Sequence, residues 1–212
     1  MVKRKSKVKD LVEKLQRREV TPEEAKSILT ERGLMKEDTW KGRVLYLMIL
    51  VGYFILCIMP LPFKRQLQLI SFPAVVVYVS FVLLGIGVCF SLWVDYSHRK
   101  KGGLKGSDET IIFYRDGPYG IMRHPGVFGF IVWFICLPLA ISAYVPFTFL
   151  SIIGIILAVG VHYYMAYVEE KTNMMKWGDE YIQYMKEVPR FRTIIVVGAI
   201  LVAAVIGFWV NL

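Results

Sequence analysis

Five stretches of this chain carry no Asp, Glu, Lys or Arg: residues 44–63, 67–94, 126–144, 147–168 and 193–212. Each is long enough to cross a bilayer, for which a helix needs about 20 consecutive apolar residues. The composition agrees, being 56% hydrophobic and 20% charged with a mean hydropathy of +0.50, which is the range of membrane proteins. The pattern predicts an all-α, polytopic membrane protein with about five transmembrane helices. The 67–94 stretch exceeds what a span requires, so it is expected to tilt, kink near Pro73 or project past the bilayer.

Charge sets the orientation. Of the 26 Lys and Arg, 13 precede Val44, six lie in 95–125, five in 171–192, and only Lys64 and Arg65 separate the first two stretches. Cytoplasmic loops carry the excess of basic residues. The N-terminus, the middle loop and the segment after Glu170 are therefore expected to be cytoplasmic, with the C-terminus outside. The net charge of +9 reads as orientation and contact with anionic membrane lipids. No aromatic-interleaved basic motif points to nucleic acid. The first 40 residues hold no long apolar run, so the basic start does not read as a secretory signal. Cys57, Cys89 and Cys136 all fall within apolar stretches, without metal-ligand or disulfide spacing, and read as packing residues.

Residues 1–40 read as a cytoplasmic amphipathic helical hairpin and residues 41–212 as the membrane domain. Val8, Leu11, Val12 and Leu15 recur at helical spacing and make one apolar stripe. Thr21, Pro22 and Glu24 spell a capping box, Ala25, Ile28 and Leu29 share a face, and Gly33 is placed to end the helix. This segment carries no motif residue, so removing residues 1–36 is expected to leave ligand binding nearly unchanged. Further on, Pro60 and Pro62 close the first span. A basic, glycine-rich stretch at 99–107 opens the long loop, in which His98 is expected to be solvated.

Two polar clusters flank the uncharged hairpin of the third and fourth spans. The first is Gly117-Pro118-Tyr119, Arg123-His124-Pro125 and Gly129. The second is Glu169-Glu170, Gly178-Asp179-Glu180-Tyr181, Tyr184 and Val188-Pro189-Arg190-Phe191. If the hairpin crosses and returns, the clusters meet on one membrane face. Pro125 suits the first position of a helix, whose free N–H groups favour an anion. Glu169 and Glu170 are expected where the fourth span leaves the bilayer, at a helix C-terminus that disfavours them unless a cation is near. A salt bridge to Lys171 or Arg190 is the simpler alternative. His162, Ala166 and Glu169 share one helical face, with His162 about 10 Å inward. It is either a functional ionisable group or a neutral histidine bonded to a neighbouring helix. Anion-binding groups facing carboxylates would suit a zwitterion with extra positive charge, and S-adenosylmethionine is such a ligand. No metal site is expected, because the three histidines lack ligand spacing.

The pattern GPY-x3-RHP-x3-G, then EE, then G-x-EY-x2-Y-x3-VPRF, resembles the integral-membrane methyltransferases. That group includes isoprenylcysteine carboxyl methyltransferases and phospholipid N-methyltransferases. The resemblance covers residues 111–192, the motif-bearing core. It implies S-adenosylmethionine in a cytoplasm-facing pocket and a lipophilic acceptor entering from the bilayer, a prenylcysteine carboxylate or a lipid headgroup. It implies cofactor-binding roles for Tyr119, Arg123, His124, Pro125, Gly129, Glu170, Tyr181, Tyr184 and Arg190. Glu169, Glu170 and His162 are the catalytic candidates, with Glu170 favoured to hold the ligand's ammonium. The chain departs from the pattern at Val127, where a tyrosine is usual, and at Asn173, where a leucine is usual. It has no arginine in 163–168 before the glutamates, and it adds the fifth apolar stretch. Two other classes suit such a chain: a lipid or sterol reductase using a nicotinamide cofactor, and a non-enzymatic membrane assembly or transport subunit. The oligomeric state has no signature in the sequence.

Overall fold

A computed structural model describes residues 8, 10–15, 17–34, 40–60 (backbone only at 40–43), 62, 68–100 and 115–191. The fifth apolar stretch and the glycine-rich part of the basic loop lie outside these residues. Regular structure among the described residues is helical, apart from one antiparallel bridge between Ile70 and Phe147.

Helix α1 (Pro22–Glu31) starts and stops as its sequence directs. The Thr21 hydroxyl accepts from the Glu24 N–H, and the Glu24 carboxylate accepts from the Thr21 N–H. At the other end Gly33 takes φ +67°, Leu34 N–H reaches Leu29 O and Gly33 N–H reaches Thr30 O. That is the Schellman closure, with the apolar pair Leu29 and Leu34 buried beside it. Helix α2 (Trp40–Ile58) ends just before Pro60.

Helix α3 (Ala74–Lys100) starts and ends later than the 67–94 stretch. Pro73 does not kink the helix. It precedes the first turn, where its carbonyl accepts from Val76 and Val77, while Leu69 N–H bonds Phe147 O in an extended segment. Beyond residue 94 the helix continues to Lys100, stapled by Asp95 and Arg99 at 2.8 Å. His98 is therefore inside a helix and 3% exposed, not solvated in a loop. Helices α4 (Pro118–Ile121) and α5 (Pro125–Ala140) follow, the latter with Pro125 in first position as expected. Pro138 sits within α5. Lacking an N–H, it leaves the carbonyl four residues back without its usual donor. Tyr53 of α2 donates its hydroxyl to that carbonyl, Phe134 O, at 2.9 Å.

Helix α6 (Phe149–Trp177) runs well past residue 168, and Gly178 at φ +58° turns the chain into α7 (Asp179–Glu187). Glu169 and Glu170 are thus mid-helix, so the macrodipole penalty expected of them does not arise. Helices α3 and α6 are long and apolar enough to cross a membrane, and only 17% and 28% of their apolar windows are buried. Helices in a soluble core would bury most of that surface. Here Tyr78, Val82, Leu92 and Ile156 stay more than 60% exposed.

The chain divides into two units. The first contains Met1–Asp38, Ser91–Gly126 and Met165–Arg190. The second contains Thr39–Phe90, Val127–Tyr164 and Phe191–Leu212. In the second, Tyr53, Cys57, Phe134 and Ala158 form the buried cluster. There α3 and α5 approach so closely that a Cβ at Gly87 would lie 3.2 Å from Val132 Cγ1. Cys57 and Cys136 are buried as packing residues, whereas Cys89 is exposed. In the first unit, Val8, Leu11, Leu15, Ala25, Leu29 and Leu34 share one core with Trp177, Tyr181 and Tyr184.

Candidate functional site

The site in the first unit is organised by a buried carboxylate. Along α6 the buried positions Ala166 and Glu170 fall four apart, on one face, while Glu169 turns further round and stays 43% exposed. A carboxylate as buried as Glu170, 2% exposed, is stable only with cations and donors around it. They come from two distant places in sequence. Arg190, after α7, grips Glu170 with both Nε (2.9 Å to Oε1) and Nη2 (to Oε2). Arg123 Nη2 approaches Oε1 at 3.3 Å, and His124 Nε2 reaches the same oxygen at 3.2 Å.

His124 also bonds Glu169, through Nδ1 at 3.1 Å. Two carboxylates facing the two ring nitrogens favour the doubly protonated imidazolium form of the ring. Burial works against that charge, but the bonds and fields of Glu169 and Glu170 outweigh it and raise the His124 pKa. Burial likewise pushes the Glu170 carboxyl up, and His124, Arg190 and Arg123 together overcome it and hold it at about 2.

The α4 turn and α7 hold these cations in place. Arg123 N–H donates to Pro189 O at 3.1 Å and its Nη1 to Met185 O at 3.5 Å. Tyr184 donates its hydroxyl to Tyr119 O at 2.6 Å. Arg115 lies over the Tyr184 ring, donates to Glu180 O at 2.8 Å and pairs with Glu187 at 3.4 Å. The turn closes only because Gly120 has no side chain: a Cβ there would meet Arg115 O at 2.8 Å.

Of the residues singled out in the sequence, Tyr119, Arg123, His124, Pro125, Glu169, Glu170, Tyr181, Tyr184 and Arg190 all belong to the first unit. Gly129 and His162 belong to the second. There His162 donates from Nδ1 to Ala158 O at 2.7 Å, which leaves Nε2 to accept the Tyr46 hydroxyl at 3.3 Å. Phe130 and Phe134 pack against the ring. The alternative of a salt bridge is realised between Glu170 and Arg190, with the carboxylate buried. Sequence reasoning missed Arg115 and Gly120, which lie two residues before the GPY motif and directly after it. It flagged Asn173 only as a departure. Burial raises the Tyr181 hydroxyl pKa, and the Asn173 side chain works in the opposite direction, which leucine could not do.

No family model, curated protein or solved structure matches the chain.

Proposed function

We propose that the chain is an integral-membrane enzyme that transfers a methyl group from S-adenosylmethionine to a lipophilic acceptor at the cytoplasmic membrane face. The observation that carries this reading is convergence. The RHP piece, before the third and fourth apolar stretches, and the EE and VPR pieces, after them, meet through direct bonds around Glu170. Helices α3 and α6 support membrane insertion, and the charge distribution supports a five-span chain with this cluster on the cytoplasmic side.

The donor set fits a ligand carrying both carboxylate and ammonium. Arg123 is 10% exposed, and its Nε has no hydrogen-bond partner among the described residues, so it has a buried donor left for an anion. Glu170 has both oxygens occupied, whereas Glu169 keeps acceptor capacity and is 43% exposed. The ammonium therefore falls to Glu169, and Glu170 serves as the anchor that aligns Arg123, Arg190 and His124. S-adenosylmethionine, when bound, supplies an electrophilic methyl on sulfonium. The residues contribute binding, orientation and a fixed field, which is the greater part of catalysis in direct displacement.

Titration of the purified protein with S-adenosylhomocysteine and with a nicotinamide dinucleotide tests the reading. Saturable binding of the first is expected. Binding of the second alone would replace this proposal with a reductase, and binding of neither would point to a non-enzymatic subunit.

A further inference from the structure

Residues 8–34 carry no motif, yet they are built into the core of the unit that holds the site. Val8, Leu11, Leu15, Ala25, Leu29 and Leu34 are each at most 7% exposed and pack with Trp177, Tyr181 and Tyr184. Helix α7 needs that support. It spans Asp179–Glu187, shorter than the roughly 12–15 residues at which an isolated helix becomes marginal in water. Its apolar face is Tyr181 and Tyr184, each 2% exposed, while Glu180 and Glu187 lie on the outside. The cover on that face comes from the N-terminal residues and the end of α6. In turn α7 supplies Met185 O to Arg123, brings Tyr184 to Tyr119, and leads into Pro189, whose carbonyl accepts from Arg123 N–H, and into Arg190.

We infer that residues 8–34 are a positioning element of the Glu170 cluster, acting through α7. The chain of contacts runs from the leucine layer to the Tyr181–Tyr184 face, then to α7, then to the two arginines. This reverses the expectation that removing the segment would leave ligand binding unchanged. Within the element, α1 is closed at both ends by its own capping box and Schellman closure. The packing argument stands without the function proposed above. Its consequence for ligand affinity rests on that function.

Amide hydrogen exchange on the full-length protein tests it, with Leu11→Ala, Leu29→Ala, the conservative Leu29→Met and the surface control Lys14→Ala. The two alanine variants are expected to exchange at least tenfold faster over 179–187 and 115–122, with wild-type rates over 149–164. Affinity for S-adenosylhomocysteine should fall at least tenfold in the same variants. Leu29→Met and Lys14→Ala should behave as wild type in both readouts. Wild-type exchange over 179–187 in both alanine variants overturns the inference. So does an equal loss of protection over 149–164, which would make the segment a general stabiliser. Wild-type protein that binds no S-adenosylhomocysteine would remove the proposed function and leave the exchange data to decide this inference alone.

Discussion

Two adjacent glutamates have opposite environments, and that separates what each substitution should do. Glu170 lies under three cations, so Glu170→Gln leaves the partly buried Arg123 and Arg190 without their shared buried counter-charge. Removing one partner of a buried pair typically costs about 3–5 kcal/mol, and denaturant titration of the variant should show a loss of that size. Glu169→Gln removes a half-exposed charge and should cost at most about 1 kcal/mol, while weakening S-adenosylhomocysteine in a calorimetric titration. A stable Glu170→Gln protein with lost affinity would reverse these assignments. The same cluster sets a pH window. Glu170 is held below its ordinary 4.5, at about 2. Its contribution is complete above 4.5 and is lost as pH falls towards 2. His124 is raised above its ordinary 6.5. Its contribution is complete below 6.5 and is lost as pH rises through the folded value. The unfolding midpoint should therefore be flat between about 4.5 and 6.5 and fall on either side. In His124→Asn the alkaline fall should be reduced. An unchanged alkaline limb in that variant would mean that the imidazolium bridging Glu169 and Glu170 contributes nothing.

Among the elements, glycines show how local geometry supports the site. Gly33 adopts φ +67° with open space around it, so Gly33→Ala meets only the backbone penalty, about 1–2 kcal/mol. Gly120 has the opposite problem, because its Cβ would collide with the Arg115 carbonyl. Gly120→Ala should displace α4 and lower S-adenosylhomocysteine affinity, while Gly33→Ala should alter stability first. Equal effects of the two on affinity at matched stability would count against the α4 turn as a support for the site. The caps were legible because they are local. Thr21, Glu24, Gly33 and Pro125 each act within a turn of their own helix. The end of α6 was not legible: the apolar run stops at residue 168, but the backbone ladder continues to Trp177 wherever nothing breaks it. Nor was the partner of the N-terminal stripe, since spacing defines an apolar face without naming what covers it. The motif pieces of the candidate site were readable residue by residue. The saturation of Glu170 was not, because it depends on how many cations converge on one oxygen pair. Pro138 hid a further contact, as its missing N–H prepares Phe134 O for the Tyr53 hydroxyl. Tyr53→Phe should cost about 1 kcal/mol in the same unfolding measurement.

On the scale of the whole molecule, the proposed function requires one orientation in the bilayer. A water-soluble, charged cofactor is available from the cytoplasm, so the Glu170 cluster must face that side. Charge provides an independent route to the same answer. The 13 basic residues before Val44, the six in 95–125 and the five in 171–192 outnumber the two between the first apolar stretches, and basic loops remain inside. Both routes put the segment that carries Arg190 on the cytoplasmic side, and a crossing by residues 193–212 would then put the C-terminus outside. Single cysteines introduced at 65, 103, 175 and 212, in a background without Cys57, Cys89 and Cys136, test this with a membrane-impermeant thiol reagent. Positions 65 and 212 should be labelled in intact cells, and positions 103 and 175 only after permeabilisation. Labelling at 175 in intact cells would put the segment that carries Arg190 on the wrong side for its proposed cofactor. Protection at 212 has a narrower meaning: residues 193–212 would not cross, leaving four spans and the site's orientation intact. The two positions thus separate the count of spans from the side on which the chemistry takes place.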